Sequence, residues 1–408
     1  MKRILVLGGG TAGSMMANKL VKRLGADWTV TVIDRDDVHL YQPGFLFIPF
    51  GDYSPEEVQR SRKSLLDERV ELRLCGARRV EPDNNRVYLG DGSVLDYTVL
   101  IVATGTRLVP ENTEGLTGVG WQQSAFDFYT LDGSTRLAAA LERFEGGRLL
   151  VNVVENPIKC PVAPLEFLFL AESWLRKRGL RDKTELVYAT PLPGAFTKPR
   201  SSAVLGGMME EKGIRVQAEF AAASVDGERG VLTAFDGRQE DYDLLVTVPS
   251  HAGDELVSDS GMGDYAGFLP THKHSLQSKA FENVFAIGDC TDLPASKAGA
   301  VAHFQGEVLI ENVLRYIEQL PLLETFDGHA NCFIESGDGK ALLIDFNYDT
   351  EPLPGRFPLP GIGPFTLLEE SHVNHWGKLG FKWVYWNMLV KGEELPLDHR
   401  MLMAGKWS

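Results

Sequence analysis

The 408-residue chain is 44% apolar and 24% charged, an ordinary globular composition with length for two or three domains. Its net charge of −15 argues against nucleic acid as a partner and against a uniformly basic membrane-binding surface. Four cysteines, Cys75, Cys160, Cys290 and Cys332, are too few for a secreted disulfide scaffold, and no apolar run reaches the roughly 18–20 residues of a membrane span.

Arg3 to Leu7 is an apolar run met at once by glycines, so it reads as a buried strand and not as a signal peptide. Gly8-Gly9-Gly10-Thr11-Ala12-Gly13 fits G-x-G-x-x-G, and a helix is predicted over Met15 to Leu24. In such a turn Gly8 permits the bend, Gly10 admits a pyrophosphate and Gly13 lets helix and strand touch, while the helix amides face the phosphates. A second strand, Trp28 to Ile33, ends at Asp34, placed for a ribose hydroxyl roughly 20 residues after the last glycine.

Val70 to Leu74 alternates as a half-exposed strand, ended by Cys75, which reads as a packed thiol. Gly90-Asp91-Gly92 reads as a hairpin turn. Val99 to Val102 runs into Ala103-Thr104-Gly105, and Asn283 to Ile287 runs into Gly288-Asp289. Between these lies the start of a second nucleotide-binding unit, Leu149 to Val154, followed by a helical pattern from Leu165 to Leu175. The turn joining them, Asn156-Pro157-Ile158-Lys159-Cys160, contains no glycine, and its side chains block the approach of a pyrophosphate. The next strand, Leu186 to Thr190, lacks the terminal acid that NAD would need. NAD(P)H is therefore not expected to bind, and a thiol stands in its place. Lys159 beside Cys160 suggests a cation that lowers the thiol pKa.

Gly8 to Gly13, Ala103-Thr104-Gly105 and Gly288-Asp289 together resemble the two-dinucleotide-binding-domain flavoproteins of the glutathione-reductase-like group. Cys160-Pro161 with Glu166, the run Gly288 to Gly299, and Cys332-Phe333 narrow the resemblance to sulfide:quinone oxidoreductases. That resemblance implies an α/β fold with two Rossmann-like domains and a C-terminal membrane-associating segment. The expected boundaries are an FAD-binding domain over 1–115, a second Rossmann-like domain without an NAD fingerprint over 116–280, a return to the FAD domain over 281–318, and a quinone-site segment over 319–408. It implies non-covalent FAD held by Gly8, Gly10, Thr11, Ala12, Gly13, Asp34, Arg35, Gln42, Pro43, Ala77, Ala103, Thr104, Gly105, Gly288, Asp289, Lys297 and Ala298. The stretch His39 to Gly44 would lie near the isoalloxazine.

The implied chemistry is oxidation of sulfide to polysulfide or zero-valent sulfur. Hydrosulfide attacks a Cys160–Cys332 pair joined directly or through sulfur, one cysteine keeps a persulfide, and the other leaves as a thiolate that passes the electron pair to FAD. Glu166 would move protons at sulfur. Cys290 is expected to be structural. Lys378 and Phe381 match a Lys-x-x-Phe spacing at the family's quinone pocket, and His303 is suggested as a proton relay to the quinone. Two departures stand out. Gln122-Gln123-Ser124 replaces a third cysteine, placing the chain in a two-cysteine subgroup, and Lys198 stands near a position some members fill with histidine.

After Asn312, strands are expected at Phe333 to Ile334 and Ala341 to Phe346, then a Pro/Gly-rich loop from Pro352 to Pro364. Five aromatics fall in the eleven residues from Trp376 to Trp386, interleaved with lysines. That pattern suits a membrane–water boundary, with an aromatic core helix as the competing reading. The expected setting is peripheral on the cytoplasmic membrane, with either face open. Rival readings are a type-II NADH:quinone oxidoreductase, a cytochrome-linked sulfide dehydrogenase subunit (where Gln42 stands near an expected cysteine), and a non-enzymatic flavin redox sensor. Sulfur chain length, sulfur acceptor and quinone type are not fixed by these residues, and a homo-oligomer is compatible with them.

Overall fold

The computed structural model describes residues 2–395 and 397–407. Two five-stranded parallel sheets organise the molecule. The first runs Val284–Ala286, Val99–Val102, Lys2–Leu7, Trp28–Asp34 and Glu71–Leu74. Its two central strands are buried almost end to end, as their unbroken apolar runs require when both faces are covered. The second sheet runs Ala125–Phe126, Leu244–Val248, Gly147–Val153, Thr184–Ala189 and Ile214–Gln217. This is the α/β architecture with two Rossmann-like sheets. Helices Thr11–Arg23 and Gly299–Ile317 pack together beside the first sheet, the former starting four residues earlier than its apolar pattern suggested.

A third sheet is built from Ala330–Gly337, Lys340–Phe346, Gly363–Leu367 and Gly355–Leu359, in that order. The stretch expected to be a loop over Pro352 to Pro364 therefore contains one strand and the start of another. Pro358 sits opposite Pro364, and Gly355–Leu359 is the edge strand. A proline lacks the N–H donor and is tolerated at an edge, so Pro358, one of the prolines that suggested a loop, sits on a sheet border instead. The Glu166 helix, Ala163–Lys177, packs directly on the Ala330–Gly337 strand and brings the second unit against the C-terminal sheet.

The aromatic segment divides in two. Helix His372–Val384 carries Trp376 and Trp383 into solvent, 66% and 62% exposed. The π-helical turn Tyr385–Leu389 instead buries Tyr385 and Trp386 in the core. The boundary reading fits the outer stripe, and the core reading fits the turn. Among the described residues no helix is long and apolar enough to cross a membrane.

Candidate functional site

Three loops meet at the carboxyl ends of the first sheet, where open α/β sheets place their ligands. Gly8 has φ +92°, and a Cβ on Gly13 would lie 1.8 Å from the Gly8 carbonyl. Both glycines are thus dictated by the backbone itself. A Cβ on Gly10 would meet nothing within 4 Å, as on Gly105, so both face open space. The Thr104 and Thr106 hydroxyls are buried with no partner. An open glycine at a helix N-terminus, a carboxylate one strand away and orphaned hydroxyls between them fit a bound dinucleotide.

Asp34 ends its strand as predicted, but it is already engaged. Its carboxylate accepts from the Gly9 and Arg35 amides, 2.7 Å each, and pairs with Arg62 at 2.9 Å. Carboxylate oxygens offer about four acceptor sites, so room for a ribose hydroxyl remains. Arg62 is buried and also donates to the Gly9 carbonyl at 3.0 Å. Sequence reasoning missed it, because no local pattern marks an arginine that folds back from a 3₁₀ turn.

It also missed the bridge above the cradle. Burial, reinforced by Arg62, pushes His39 down to about 4, so its ring is neutral. Nδ1–H then donates to the Gly9 carbonyl at 3.1 Å, leaving Nε2 to accept from the Tyr385 hydroxyl at 2.8 Å. That hydroxyl accepts in turn from Thr11 Oγ1 at 2.7 Å. The C-terminal turn is thereby bonded to the first residue of the nucleotide-binding helix.

Other expected cofactor residues are spread unevenly. Ala12 faces Gly288, and Ala298 caps the helix Gly299–Ile317. Gln42 and Pro43 form an exposed 3₁₀ turn, Arg35 is exposed, and Ala77 opens the strand Ala77–Glu81. Lys297 spends its ammonium on the Asp289 and Thr291 carbonyls, 2.7 Å each. Burial holds the Asp289 carboxyl up, opposed by Lys297 and Lys159. Cys290 donates its thiol to the Val102 and Ile287 carbonyls and packs as a core residue.

Cys160 follows the glycine-free turn with φ +79°, a left-handed conformation that side chains disfavour by roughly 1–2 kcal/mol. Three hydrogen bonds hold it there. Its amide donates to the Lys297 carbonyl at 2.8 Å, and its carbonyl accepts from Ala163 N at 2.8 Å and the Tyr129 hydroxyl at 3.1 Å. The turn is thus stitched to the loop after Gly288-Asp289. Where a second dinucleotide would lie there is a cavity of about 10 Å³, lined by Ile158, Pro161, Tyr188 and Phe196 among others. That is smaller than the roughly 300–1,000 Å³ of ordinary ligand clefts.

Cys332 lies on the Ala330–Gly337 strand, near enough for Cys160 to influence its titration; both are free thiols, half-buried. Burial pushes Cys160 up to about 12; Glu166 adds to the rise and Lys378 opposes it. Burial, Cys160 and Glu166 hold Cys332 higher still. Lys378 opposes the rise at Cys160, and Cys160 also acts on the expected cation, Lys159. Lys159 lies 6.0 Å from the Tyr129 ring and faces Asp289 and Asp127. Reduced protein will consequently alkylate slowly at Cys160 near pH 7.5, with a rate rising roughly tenfold per pH unit as thiolate forms. Iodoacetamide labelling followed by peptide mass spectrometry measures this, and Lys378→Met should slow it further.

Glu166 is 1% exposed, not the solvated helix residue it could have been. It is ion-paired to Lys378, and its carboxylate accepts from the Glu335 amide at 2.8 Å. Lys378 also donates to the Phe333 carbonyl at 3.2 Å and lies 5.8 Å from the Phe47 ring. Burial opposes its charge, but Glu166 and Glu335 outweigh that and hold it protonated. Phe381 is half-buried one turn on. His303 is buried elsewhere, beside Phe304 and Glu307, with neither ring nitrogen hydrogen-bonded, and burial pushes it down to about 4. Lys198 lies 3.7 Å from Glu351 and 5.3 Å from the Phe346 ring. The structure thus unites Cys160, Cys332, Glu166 and Lys378, while the contacts of His303 and Lys198 lie outside that group.

Residues 2–151 match the pyridine nucleotide-disulphide oxidoreductase family model. The mitochondrial sulfide:quinone oxidoreductase of Mus musculus is 28% identical over 95% of this chain and 86% of its own. That of Schizosaccharomyces pombe is 26% identical over 95% and 90%. A type II NADH:quinone oxidoreductase of Staphylococcus saprophyticus is 24% identical over 84% and 90%. The solved sulfide:quinone oxidoreductase of Aquifex aeolicus shares the fold with a TM-score of 0.81 at 19% identity, covering 96% of this chain and 92% of that one.

Proposed function

We infer that this chain, homologous to the sulfide:quinone oxidoreductases along about 95% of its length, oxidises sulfide and passes the electrons through a flavin to a quinone. The observation that carries the reading is the grouping of Cys160 and Cys332 with a buried Glu166–Lys378 pair, beside a cradle that fits one dinucleotide. The Ala103-Thr104-Gly105 and Gly288-Asp289 runs beside that cradle, which resemble those of FAD-binding flavoproteins, favour FAD. Bound there, a flavin supplies an acceptor that takes two electrons from sulfur and returns them to a quinone.

Cys160 and Cys332 are the sulfur-handling pair. Hydrosulfide attacks one sulfur of the oxidised pair and forms a new S–S bond, and the bond to the other cysteine breaks, leaving a thiolate. Burial makes that thiolate costly, which drives its charge onward rather than letting it rest. Glu166 takes the proton that sulfide loses. Lys378 is positioned to donate a hydrogen bond to a quinone oxygen, and Phe381 to pack on the ring. His303, whose neighbours are Phe304 and Glu307 and not the cysteine group, is proposed as a proton relay on the flavin side of the quinone site. Trp376 and Trp383 point outward and support peripheral association with a membrane surface.

The test is anaerobic. Sulfide should bleach the flavin band of purified protein and a short-chain quinone should restore it. Cys160→Ser or Cys332→Ser should each cut turnover by about 1,000-fold or more, as losing a nucleophile does. Bleaching by NADH and not by sulfide would instead favour an NADH:quinone enzyme with structural cysteines.

A further inference from the structure

The proton balance of the proposed reaction leaves a deficit. Hydrosulfide going to zero-valent sulfur releases two electrons and one proton. A quinone going to a quinol consumes two electrons and two protons. One proton per turnover must come from solution and reach a buried site.

The sulfur-side proton already has a carrier in Glu166, which touches Lys378. What remains is a way in from solvent. Glu335 lies three residues beyond Cys332 on the same strand and is 1% exposed. Both of its carboxylate oxygens lie 2.9 Å from His375 Nδ1. The His375 side chain is 21% exposed, so the pair spans from the core to the surface. His375 sits one turn before Lys378 on the C-terminal helix.

We propose that Glu335 and His375 form the port through which the quinone-reducing half of the cycle draws its proton from solvent, an inference that rests on the sulfide:quinone reading above. His375 takes a proton from water and donates it through Nδ1 to the Glu335 carboxylate. Glu335 then restores the proton that Lys378 gives to a quinone oxygen. No electrons move in these steps, and each donor is returned to its starting state by the next proton from outside.

The electrostatics suit the task. The groups facing Glu335 are Lys378 and His375 on the C-terminal helix, Glu166 on the helix behind it, and Tyr53 across the site. Asp52, in turn influenced by Lys177, faces His375 at the surface. Two buried carboxyls therefore share one ammonium. Burial pushes both Glu166 and Glu335 above the ordinary carboxyl range, with Lys378 pulling each back. Such a cluster readily holds one extra proton. The His375 imidazole at its mouth joins the cluster to solvent. Neither residue is needed to bind sulfide or to attack sulfur, so a defect should appear in only one half of the cycle.

The experiment separates the two half-reactions in full-length, flavin-loaded protein. Glu335→Gln and His375→Ala are compared with the unchanged chain by anaerobic stopped flow. Bleaching by sulfide should stay within about twofold, while reoxidation by a short-chain quinone should slow by at least about tenfold at pH 8. The reoxidation defect should shrink as pH falls. Added imidazole should restore His375→Ala but not Glu335→Gln. A pH-indicator dye should report proton uptake delayed in step with reoxidation. Unaltered reoxidation and dye traces in both variants overturn the port, as does a defect indifferent to pH and imidazole. If the unchanged chain is not bleached by sulfide at all, the underlying functional reading fails instead.

Discussion

Lys378→Met will cost about 3–5 kcal/mol of folding stability, the usual penalty for stranding a buried partner, and will abolish quinone turnover. The loss arises at Glu166, which is 1% exposed and has Lys378 as its counter-ion. Without that ammonium, the carboxyl must bind a proton to stay buried. Its folded-state pKa, already raised by burial, rises further above the ordinary value of 4.5. Above that value the folded form then holds a proton that the unfolded form has released, so stability falls as pH climbs. Denaturant unfolding at pH 5 and pH 8 should show the larger deficit at pH 8. Glu166→Gln combined with Lys378→Met should recover most of the stability and none of the turnover. Equal stability of Lys378→Met and the unchanged chain at pH 8 would mean that the pair is not buried as described.

Gly13→Ala and Gly10→Ala will separate the fold of the cradle from its occupancy. At Gly13 the added carbon would lie 1.8 Å from the Gly8 carbonyl and 3.3 Å from Val6. The first contact is with the backbone of the turn and the second with the strand Lys2–Leu7, so the carbon cannot be admitted without disturbing the central sheet. The expected outcome is a colourless protein destabilised by about 3 kcal/mol. At Gly10 the carbon enters empty space, and φ −73° is ordinary for alanine. That variant should unfold at the same denaturant concentration as flavin-stripped parent protein, yet retain little flavin after gel filtration. Full flavin content in Gly10→Ala would show that no phosphate passes over this glycine.

What could be read from the sequence was whatever is encoded within a few residues. The Gly8 to Gly13 turn, the missing glycine before Cys160 and the apolar strand runs are local signals, and each produced its element. The resemblance brought Cys160, Cys332 and Glu166 together and set Lys378 apart at the quinone pocket; nothing between Glu166 and Lys378 announces that they touch. Contacts with neither kind of signal were invisible. Arg62 reaches Asp34 by folding back, Glu335 finds His375 on the helix packed against its sheet, and both look like surface residues in one dimension. The Gly355–Leu359 edge strand was hidden for the opposite reason: its one proline, Pro358, is a strong local signal whose meaning depends on having a neighbour on one side only.

The hydrogen bonds of Tyr385 with Thr11 and His39 make the tail of the chain a lock on the head. The turn holding Tyr385 follows directly on the helix whose tryptophans face outward. If that helix seats on a lipid surface as proposed, a pull on it reaches the residue bonded to Thr11 through the turn that directly follows it. Yellow colour should therefore report on the far end of the polypeptide. Clipping the chain just before Tyr385 would bleach the protein by releasing its pigment, with no chemistry done at the pigment itself.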